Sequence, residues 1–253
     1  MPACHAGDRR FESGRVRQET LLFVGYDPPM PREIPVSDGF PPNERTRVRR
    51  LPERGLYERS EIYPVIDSAL TCTVAYLLDG RPIATPTAHW RNGDQLYWHG
   101  SAASRFLKSV VGTEVCVSIH LADGIVLARS GFDSSMNYRS ATLFGICEEI
   151  TGAEKVAQLD AFVDKLVPGR SADLRASTEQ ELKATTLLGM TITEASGKIR
   201  DGSVHDNSDD ANEKIWAGVL EMETRFTGLT PDDETPVIAT PSTILEQMIG
   251  KKI

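Results

Sequence analysis

The sequence predicts a mainly β protein, a β-barrel with flanking helices, from three features. Runs of β-branched or alternating residues follow one another between residues 71 and 150. Asp79-Gly80 and Asn92-Gly93 are dipeptides typical of tight hairpin turns between such runs. Six antiparallel strands in succession favour a barrel, because closure removes exposed strand edges.

The strands are predicted in order along the chain. The run 71–78 leads through Asp79-Gly80 into an extended run that contains Pro86, which cannot donate a sheet hydrogen bond. The Asn-Gly turn is expected to return this run as a hairpin with the strand that ends at His99. Asp123-Gly124 predicts a further turn between two later strands. The six predicted strands are 71–78, 82–89, 95–99, 115–121, 125–130 and 137–150.

Helical patterns lie on either side of these strands. Ser60 is expected to cap a short helix that contains Ile62, Val65 and Ile66. Apolar residues at helical spacing predict a helix over 156–166, and Thr178 begins a capping-box pattern before another helix. Later strands are predicted over 187–193 and 215–223, with a short terminal helix from Thr243.

The composition divides the chain into three segments. Residues 1–50 are rich in Arg, Gly and Pro and are predicted to be a disordered arm. Residues 51–225 are predicted to form the barrel domain, and residues 226–253 a Pro-containing tail with a short helix. A chain of 253 residues with 40% hydrophobic content can bury one good core.

The net charge of −8 is concentrated in one segment, because residues 201–235 hold ten acidic side chains against Lys214 and Arg225. This argues against nucleic acid as a partner, and the Arg-rich stretch from Arg45 to Arg59 is the one feature that favours it. The sequence contains no apolar run of membrane-spanning length and no secretory signal, so a cytoplasmic protein without membrane association is expected.

The four cysteines lack the spacing of a zinc site. Cys72, Cys116 and Cys147 lie within predicted strands, and Cys4 lies in the predicted arm. We interpret them as reduced thiols, largely buried, and expect no metal site.

One turn is suited to bind a phosphate group. Gly100 to Ser104 are small residues that lead into a helix predicted over Arg105 to Val110. The unpaired backbone N–H groups of a helix start attract anions, and Arg105 and Lys108 fall on one face of this helix. The alternative is an ordinary Ser-capped surface helix.

Four short sequence motifs, in this order, indicate a family resemblance. They are Pro52-Glu53-Arg54-Gly55, Tyr97-Trp98-His99-Gly100-Ser101, the run from Gly124 to Ser130, and Asn137-Tyr138-Arg139-Ser140. Between about Leu51 and Trp216 the chain resembles the pyridoxamine 5′-phosphate oxidase-like flavoproteins, and more narrowly the branch that includes the nitroimidazole-resistance proteins.

The resemblance implies an FMN-binding split β-barrel, usually a homodimer with the flavin at the subunit interface. By position, the backbone of Ala84, Thr85, Pro86 and Thr87 would lie along the isoalloxazine ring. His99 and Gly100 would lie near the ribityl chain or the ring, and Ser104, Arg105 and Lys108 would bind the phosphate. Asn137, Tyr138, Arg139 and Ser140 would lie near the flavin or the dimer interface.

For Tyr138, Arg139 and Trp216 a purely structural role is equally open. Arg139 can form an ordinary salt bridge while Tyr138 packs in a barrel seam. Trp216 either reaches the flavin, as a late-strand tryptophan does in some relatives, or is part of the core.

The implied function is that of an FMN-dependent oxidoreductase. A hydride or single electrons would pass through flavin N5 to a small organic substrate such as a nitro or quinone compound, with a reduced nicotinamide as a possible donor. His99 is the candidate catalytic residue, a proton donor or orienting group, because histidine titrates near physiological pH. The C-terminus from Ile249 to Ile253 lacks the basic and aromatic closing segment of the true oxidase, so oxidation of pyridoxamine phosphate is not expected.

Other functions stay open from the sequence. A barrel of this type can be a non-catalytic module for flavin, deazaflavin or haem, with His89, His99 and His120 as possible axial ligands. A regulatory or interaction protein would use the Arg-rich arm to recruit a partner. A hydrolase has little support, because no G-x-S-x-G motif is present.

Overall fold

Antiparallel strands form the body of the protein in the computed structural model, which describes residues 38–233 and 241–252. The ten strands in these ranges are β1 Gly55–Leu56, β2 Thr71–Leu78, β3 Arg81–Ala88, β4 Trp90–Asn92, β5 Gln95–Ser101, β6 Glu114–Leu127, β7 Ser135–Ile150, β8 Thr185–Thr191, β9 Glu194–Arg200 and β10 Gly218–Glu221. The helices are α1 Arg59–Ser68, α2 Arg105–Val110, α3 Gly152–Leu166, α4 Glu179–Ala184 and α5 Thr243–Met248. The prediction of a mainly β fold with flanking helices is confirmed.

The main path of the sheet is β3-β2-β6-β7-β8-β5-β4, with β9 on β7, β1 on β9 and β10 on β6. The two ends of this path do not pair with each other, so the expected closure of the barrel by hydrogen bonds is wrong. The end strands explain this, because β4 has only three residues and β3 contains Pro82 and Pro86, which lack backbone N–H groups. The barrel is therefore split along β3.

Strand β7 joins the two halves of the sheet. It pairs with β9 as far as Phe144 and with β8 from Cys147 onwards. Gly145 lies at this change of partner, where a Cβ atom would be 2.1 Å from the carbonyl oxygen of Thr191. Only glycine lets the two backbones approach so closely at this point.

The expected hairpin between the strand containing Pro86 and the strand ending at His99 is wrong. Strand β3 pairs with β2, whereas β5 pairs with β4 and β8. The chain leaves β3 at His89, which is 1% exposed and whose N–H donates to the carbonyl of Leu70 at 3.3 Å. Its ring Nε2 lies 3.0 Å from the carbonyl oxygen of Ile66, so His89 fixes this crossing to the end of α1.

The predicted turn at Asp123-Gly124 is also wrong. The chain continues as one fourteen-residue strand, β6, with an irregularity of register between Ala122 and Gly124. A Cβ atom at Gly124 would lie 3.0 Å from Val219 of β10 and 3.2 Å from the carbonyl of Leu220. The glycine therefore allows a bulge against which β10 packs, where the sequence suggests a reversal.

The helices follow their local signals with two differences, at the starts of α1 and α3. Helix α1 begins after Glu58, whose side chain forms a capping box with Glu61, and Ser60 lies inside the helix. The predicted box at Thr178 is confirmed by its bonds with Glu181. Helices α2 and α5 occupy the predicted positions, and α3 begins at Gly152, four residues earlier than expected.

Two apolar clusters hold these elements together. The main core fills the interior of the sheet and includes Ile62, Val74, Trp98, Leu107 and Leu143. A second cluster of Trp90, Tyr97 and Leu187 lies beneath α3, with Phe162 packed against it. Because Tyr97 and His99 alternate with Leu96 and Trp98 along β5, their side chains lie on the α3 side of the sheet.

Part of the predicted disordered arm is ordered. Residues 1–37 lie outside the described residues, whereas residues 38–50 pack on the sheet. Phe40 is 3% exposed, and the Arg45 guanidinium lies 4.1 Å over the Phe144 ring. Arg45 also bonds two carboxylates of the sheet, those of Glu114 and Glu194. The prediction of disorder is therefore wrong for residues 38–50, because an apolar and a charged anchor hold them.

The burial of the cysteines agrees with the sequence prediction. Cys72 and Cys147 are buried and Cys116 is partly buried, all three as free thiols, and burial raises the pKa of Cys72 and Cys147 to about 12. Cys4 lies outside the described residues. Within the described ranges, no helix is long and apolar enough to cross a membrane, and no group of His, Cys, Asp and Glu side chains is arranged to hold a metal ion.

Candidate functional site

Strand β3 presents an open edge at the split. Ala84, Thr85, Pro86 and Thr87 all lie on it, and β2 is its only partner strand in the part of the chain that the structure describes. Backbone groups on the other edge are therefore available to a bound molecule. Strand β5 lies next to this edge without pairing with it.

Helix α2 follows directly from β5 and carries the serine and the two basic residues that the sequence singles out. Ser104 is its N-cap, and the Ser104 hydroxyl accepts a hydrogen bond from the Leu107 N–H at 3.4 Å. Arg105 and Lys108 are exposed, and neither has an ion-pair partner among the described residues. Two unneutralised cations beside a serine hydroxyl are suited to a phosphate group, and they fit the phosphate that the resemblance implies.

Tyr76 connects α2 to the open strand. Its ring centroid lies 5.2 Å from that of Phe106 on α2, and its phenol oxygen accepts a hydrogen bond from the Thr85 hydroxyl at 3.5 Å. Gly100 at the end of β5 completes this junction, since a Cβ atom there would lie 3.1 Å from Leu107. Tyr76 therefore links the Thr85 side chain of β3 to Phe106 of α2.

His99 occupies an aromatic pocket on the α3 side of β5. Its ring centroid lies 4.6 Å from Phe162 in an edge contact and 5.8 Å from Trp90. The Nδ1 atom is buried without a hydrogen-bond partner among the described residues. Burial lowers the pKa of His99 from its ordinary value, so the neutral form of the ring predominates near pH 7.

Asn137, Tyr138, Arg139 and Ser140 lie on β7, apart from the residues of β3 and α2. Two strands, β2 and β6, separate β7 from β3 in the sheet. The Arg139 guanidinium forms a bidentate pair with Asp123 at 2.9 and 2.8 Å, and the buried Asn137 carboxamide oxygen accepts a hydrogen bond from Arg200. These contacts give Asn137 and Arg139 structural roles. A flavin contact from this segment stays a prediction.

Two aromatic residues, Trp216 and Phe132, are exposed. Trp216 is 68% exposed, so the interpretation as a core indole is wrong. Phe132 is 93% exposed on a turn held by the Ser130 and Asp133 side chains, and the sequence reasoning did not single it out. Exposure of a large apolar side chain has no signature in local sequence, because it depends on which strands pack nearby.

The three histidines considered as haem ligands differ in availability. His89 is buried and its Nε2 is engaged by the Ile66 carbonyl. His120 is exposed on β6. His99 is half-buried, and its ring stands between two aromatic side chains. His89 is therefore the least suited of the three to bind a metal.

The burial of His89 has a consequence for stability. Burial lowers its pKa from the ordinary value of 6.5, although the Ile66 carbonyl acts in the opposite direction. Below pH 6.5 the His89 ring takes up a proton in the unfolded chain but stays neutral in the folded protein, and above pH 6.5 the ring is neutral in both states.

We expect the free energy of unfolding to fall by about 1 kcal/mol between about pH 7.5 and about pH 5.5, measured by urea denaturation. The slope should shrink in His89→Asn and persist in the exposed control His120→Asn; an unchanged slope in His89→Asn would contradict this assignment.

Comparisons with known proteins agree with the sequence resemblance. A family model described as pyridoxamine 5′-phosphate oxidase matches residues 58–199. The structure of the FAD and heme binding protein from Mycobacterium smegmatis is 36% identical, with a TM-score of 0.75 over 78% of this chain and 98% of that chain. The flavocytochrome Anf3 from Azotobacter vinelandii is 35% identical, with a TM-score of 0.76 over 82% of this chain and 98% of that chain.

A third structure is more distant. A candidate 5-nitroimidazole antibiotic resistance protein from Bacteroides thetaiotaomicron is 22% identical, with a TM-score of 0.48 over 57% of this chain and 86% of that chain. At this level the likeness bears no weight in the argument on function. A comparison with curated proteins finds no match.

Proposed function

The chain belongs to the pyridoxamine 5′-phosphate oxidase family, a family of flavin-binding split barrels, and from that premise we propose that it is a flavin-dependent oxidoreductase. The observation that supports this most is the surface where β3, the end of β5 and α2 meet. Strand β3 has an open edge, and Tyr76 links it to helix α2, which carries a serine hydroxyl and two exposed cations without acidic partners among the described residues. These are the groups that a flat, phosphorylated cofactor requires.

The flavin itself would be FMN or FAD. The sequence resemblance favours FMN, whereas the two similar structures are named for FAD and as a flavocytochrome. Both cofactors share the isoalloxazine ring and the first phosphate, so the same residues of β3 and α2 would bind either one. The mass of the released chromophore distinguishes them.

Each residue of the surface has a defined task in this proposal. Arg105 and Lys108 neutralise the phosphate, and the Ser104 hydroxyl donates a hydrogen bond to it. The β3 backbone from Ala84 to Thr87 orients the ring and excludes water from one face of it. When bound, the flavin supplies hydride or single-electron transfer to a small organic substrate such as a nitro or quinone compound. His99, neutral at pH 7, would accept a proton at the unprotonated nitrogen of its imidazole.

The role of His99 is tested by its replacement. His99→Ala is expected to lower turnover of a nitro or quinone substrate by about tenfold while flavin affinity changes little, because the phosphate contacts are elsewhere. Turnover with NADH or NADPH as donor and flavin affinity by fluorescence titration give the two readouts. Unchanged turnover would remove His99 from the mechanism.

Assembly as a homodimer is part of the proposal. The edge of β3 is open in one copy of the chain, and a second copy would complete the enclosure of the flavin. Light scattering of the flavin-loaded protein measures this directly.

A second candidate function is haem binding together with flavin. Its support is that one similar structure is named for FAD and heme and the other is a flavocytochrome, each covering about four fifths of this chain. His99 and His120 would be the histidines to test as ligands, since His89 is engaged by Ile66. A Soret band in protein produced with haem available supports this function, and its loss in one histidine variant identifies the ligand.

A further inference from the structure

Helix α3 places a polar side chain where an apolar one is expected. Gln158 is 7% exposed and is the one fully buried residue of α3 within the described chain. It faces the second apolar cluster, which contains Trp90 and Tyr97. A polar group buried in such surroundings costs free energy unless it is hydrogen-bonded, so its partner indicates its purpose.

That partner is Trp90. The indole Nε1–H donates to the Gln158 Oε1 atom at 3.2 Å, and both groups are buried. The Trp90 ring is also stacked on Tyr97, with centroids 5.7 Å apart and an interplanar angle of 19°. One face and one edge of the indole are thereby fixed, so its plane is determined by α3 and β5 together.

The fixed indole forms one wall of the His99 pocket. Phe162 forms the other wall, and it lies one turn after Gln158 on the same face of α3. The buried Nδ1 atom of His99 has no hydrogen-bond partner among the described residues, so no donor or acceptor orients the ring there. The two aromatic walls are what hold the imidazole in place.

We infer that Gln158 is a positioning residue for His99, acting through the Trp90 indole. The inference rests on the proposed function for its relevance to flavin chemistry. The positioning itself involves only side chains of this chain and exists without a cofactor.

The charged groups around the pocket are not the cause of the lowered pKa of His99. Tyr97 on β5 bonds to Glu154 on α3 at 3.4 Å, and Lys155 on α3 donates to the carbonyls of Leu182 and Thr185. Burial is the cause of the low pKa of His99. A pocket with a loosened wall admits water, and the pKa of His99 then rises toward its ordinary value.

The test is an NMR titration of the His99 ring in flavin-free protein, with the signal assigned through His99→Gln. Gln158→Leu removes the acceptor at similar volume and is expected to raise the pKa of His99 by about half a unit, about a threefold change in the protonation equilibrium. The matched control is Gln180→Leu on the exposed face of α4, which should leave the titration unchanged. If the leucine variant does not fold, Gln158→Asn withdraws the acceptor by one methylene and tests the same step.

A second measurement, in Trp90→Phe protein, distinguishes positioning of His99 through the indole from a general loosening of the pocket. In Trp90→Phe protein the indole donor is absent, so adding Gln158→Leu should not shift the His99 titration further. A folded Gln158→Leu protein with an unchanged His99 titration would overturn the inference, as would a shift of equal size in the Trp90→Phe background. Wild-type protein that fails to bind flavin would refute the proposed function and leave this comparison intact.

Discussion

Replacing Arg105 and Lys108 together by alanine is expected to weaken flavin binding by at least about 100-fold. Each charged donor to a phosphate contributes roughly 1.5 kcal/mol or more, and the two contributions together correspond to this ratio. Both side chains are exposed and lack ion-pair partners among the described residues, so their removal leaves no carboxylate unpaired there. The fold should therefore persist, and isothermal titration with FMN and with FAD measures the loss.

A matched control isolates the phosphate contact. Arg47 and Lys214 are also exposed and have no ion-pair partner in the described ranges, so Arg47→Ala/Lys214→Ala removes the same charge elsewhere. Flavin affinity should stay within about threefold in this control. Riboflavin, which lacks the phosphate, should bind more weakly than FMN and respond little to Arg105→Ala/Lys108→Ala. An equal loss of affinity for riboflavin would refute phosphate binding by α2.

Gly145→Ala is expected to destabilise the protein by about 3 kcal/mol or more. The added Cβ atom would lie 2.1 Å from the Thr191 carbonyl oxygen and 2.7 Å from Met190, and the nearer of these is backbone that cannot rotate away. The change therefore forces β7 and β8 apart where the strand changes partners. Urea denaturation followed by tryptophan fluorescence gives the free energy of unfolding.

The control for this prediction is Gly131→Ala. No atom of the described residues lies within 4 Å of a Cβ built at Gly131, and its backbone is outside the left-handed region. The stability of this variant should stay within about 0.5 kcal/mol of wild type. Equal stability of Gly145→Ala and Gly131→Ala would show that β7 and β8 do not approach as described.

Features set by a few neighbouring residues could be predicted from the sequence. Strand β2 and helix α2 occupy the predicted positions, and the turn at Asp79-Gly80 has positive φ at both residues, as the Asp-Gly signal implies. The capping box of Thr178 and Glu181 is likewise local. In each case the side chain and backbone groups that decide the conformation lie within four residues of each other.

Strand partners could not be predicted in the same way. Whether β3 pairs with β2 alone or also with β5 depends on His89, which is bonded to Leu70 and Ile66 about twenty residues earlier. No strand is predicted over Glu194 to Arg200 because this stretch contains no aromatic residue and Ile199 is its one β-branched residue, yet it pairs with β7 over seven residues. Long-range packing decides both cases.

The candidate site likewise contains residues that the sequence could predict and residues that it could not. Arg105 and Lys108 could be found from sequence, because their spacing on one short helix brings them together. Gln158 could not, since it meets Trp90 only through the docking of α3 on β4, 68 positions apart. Asn137 to Ser140 were assigned to the flavin by resemblance, and their bonds to Arg200, Asp123 and Lys198 are visible only in the fold.

The most direct test of flavin binding at β3 and α2 is the absorption spectrum of the purified protein, followed by mass analysis of any chromophore released on denaturation. We expect the spectrum to show flavin absorption bands and the released chromophore to be FMN or FAD. The bands should be weaker in the purified Arg105→Ala/Lys108→Ala variant. A colourless wild-type protein that also fails to take up added FMN and FAD would contradict the central claim.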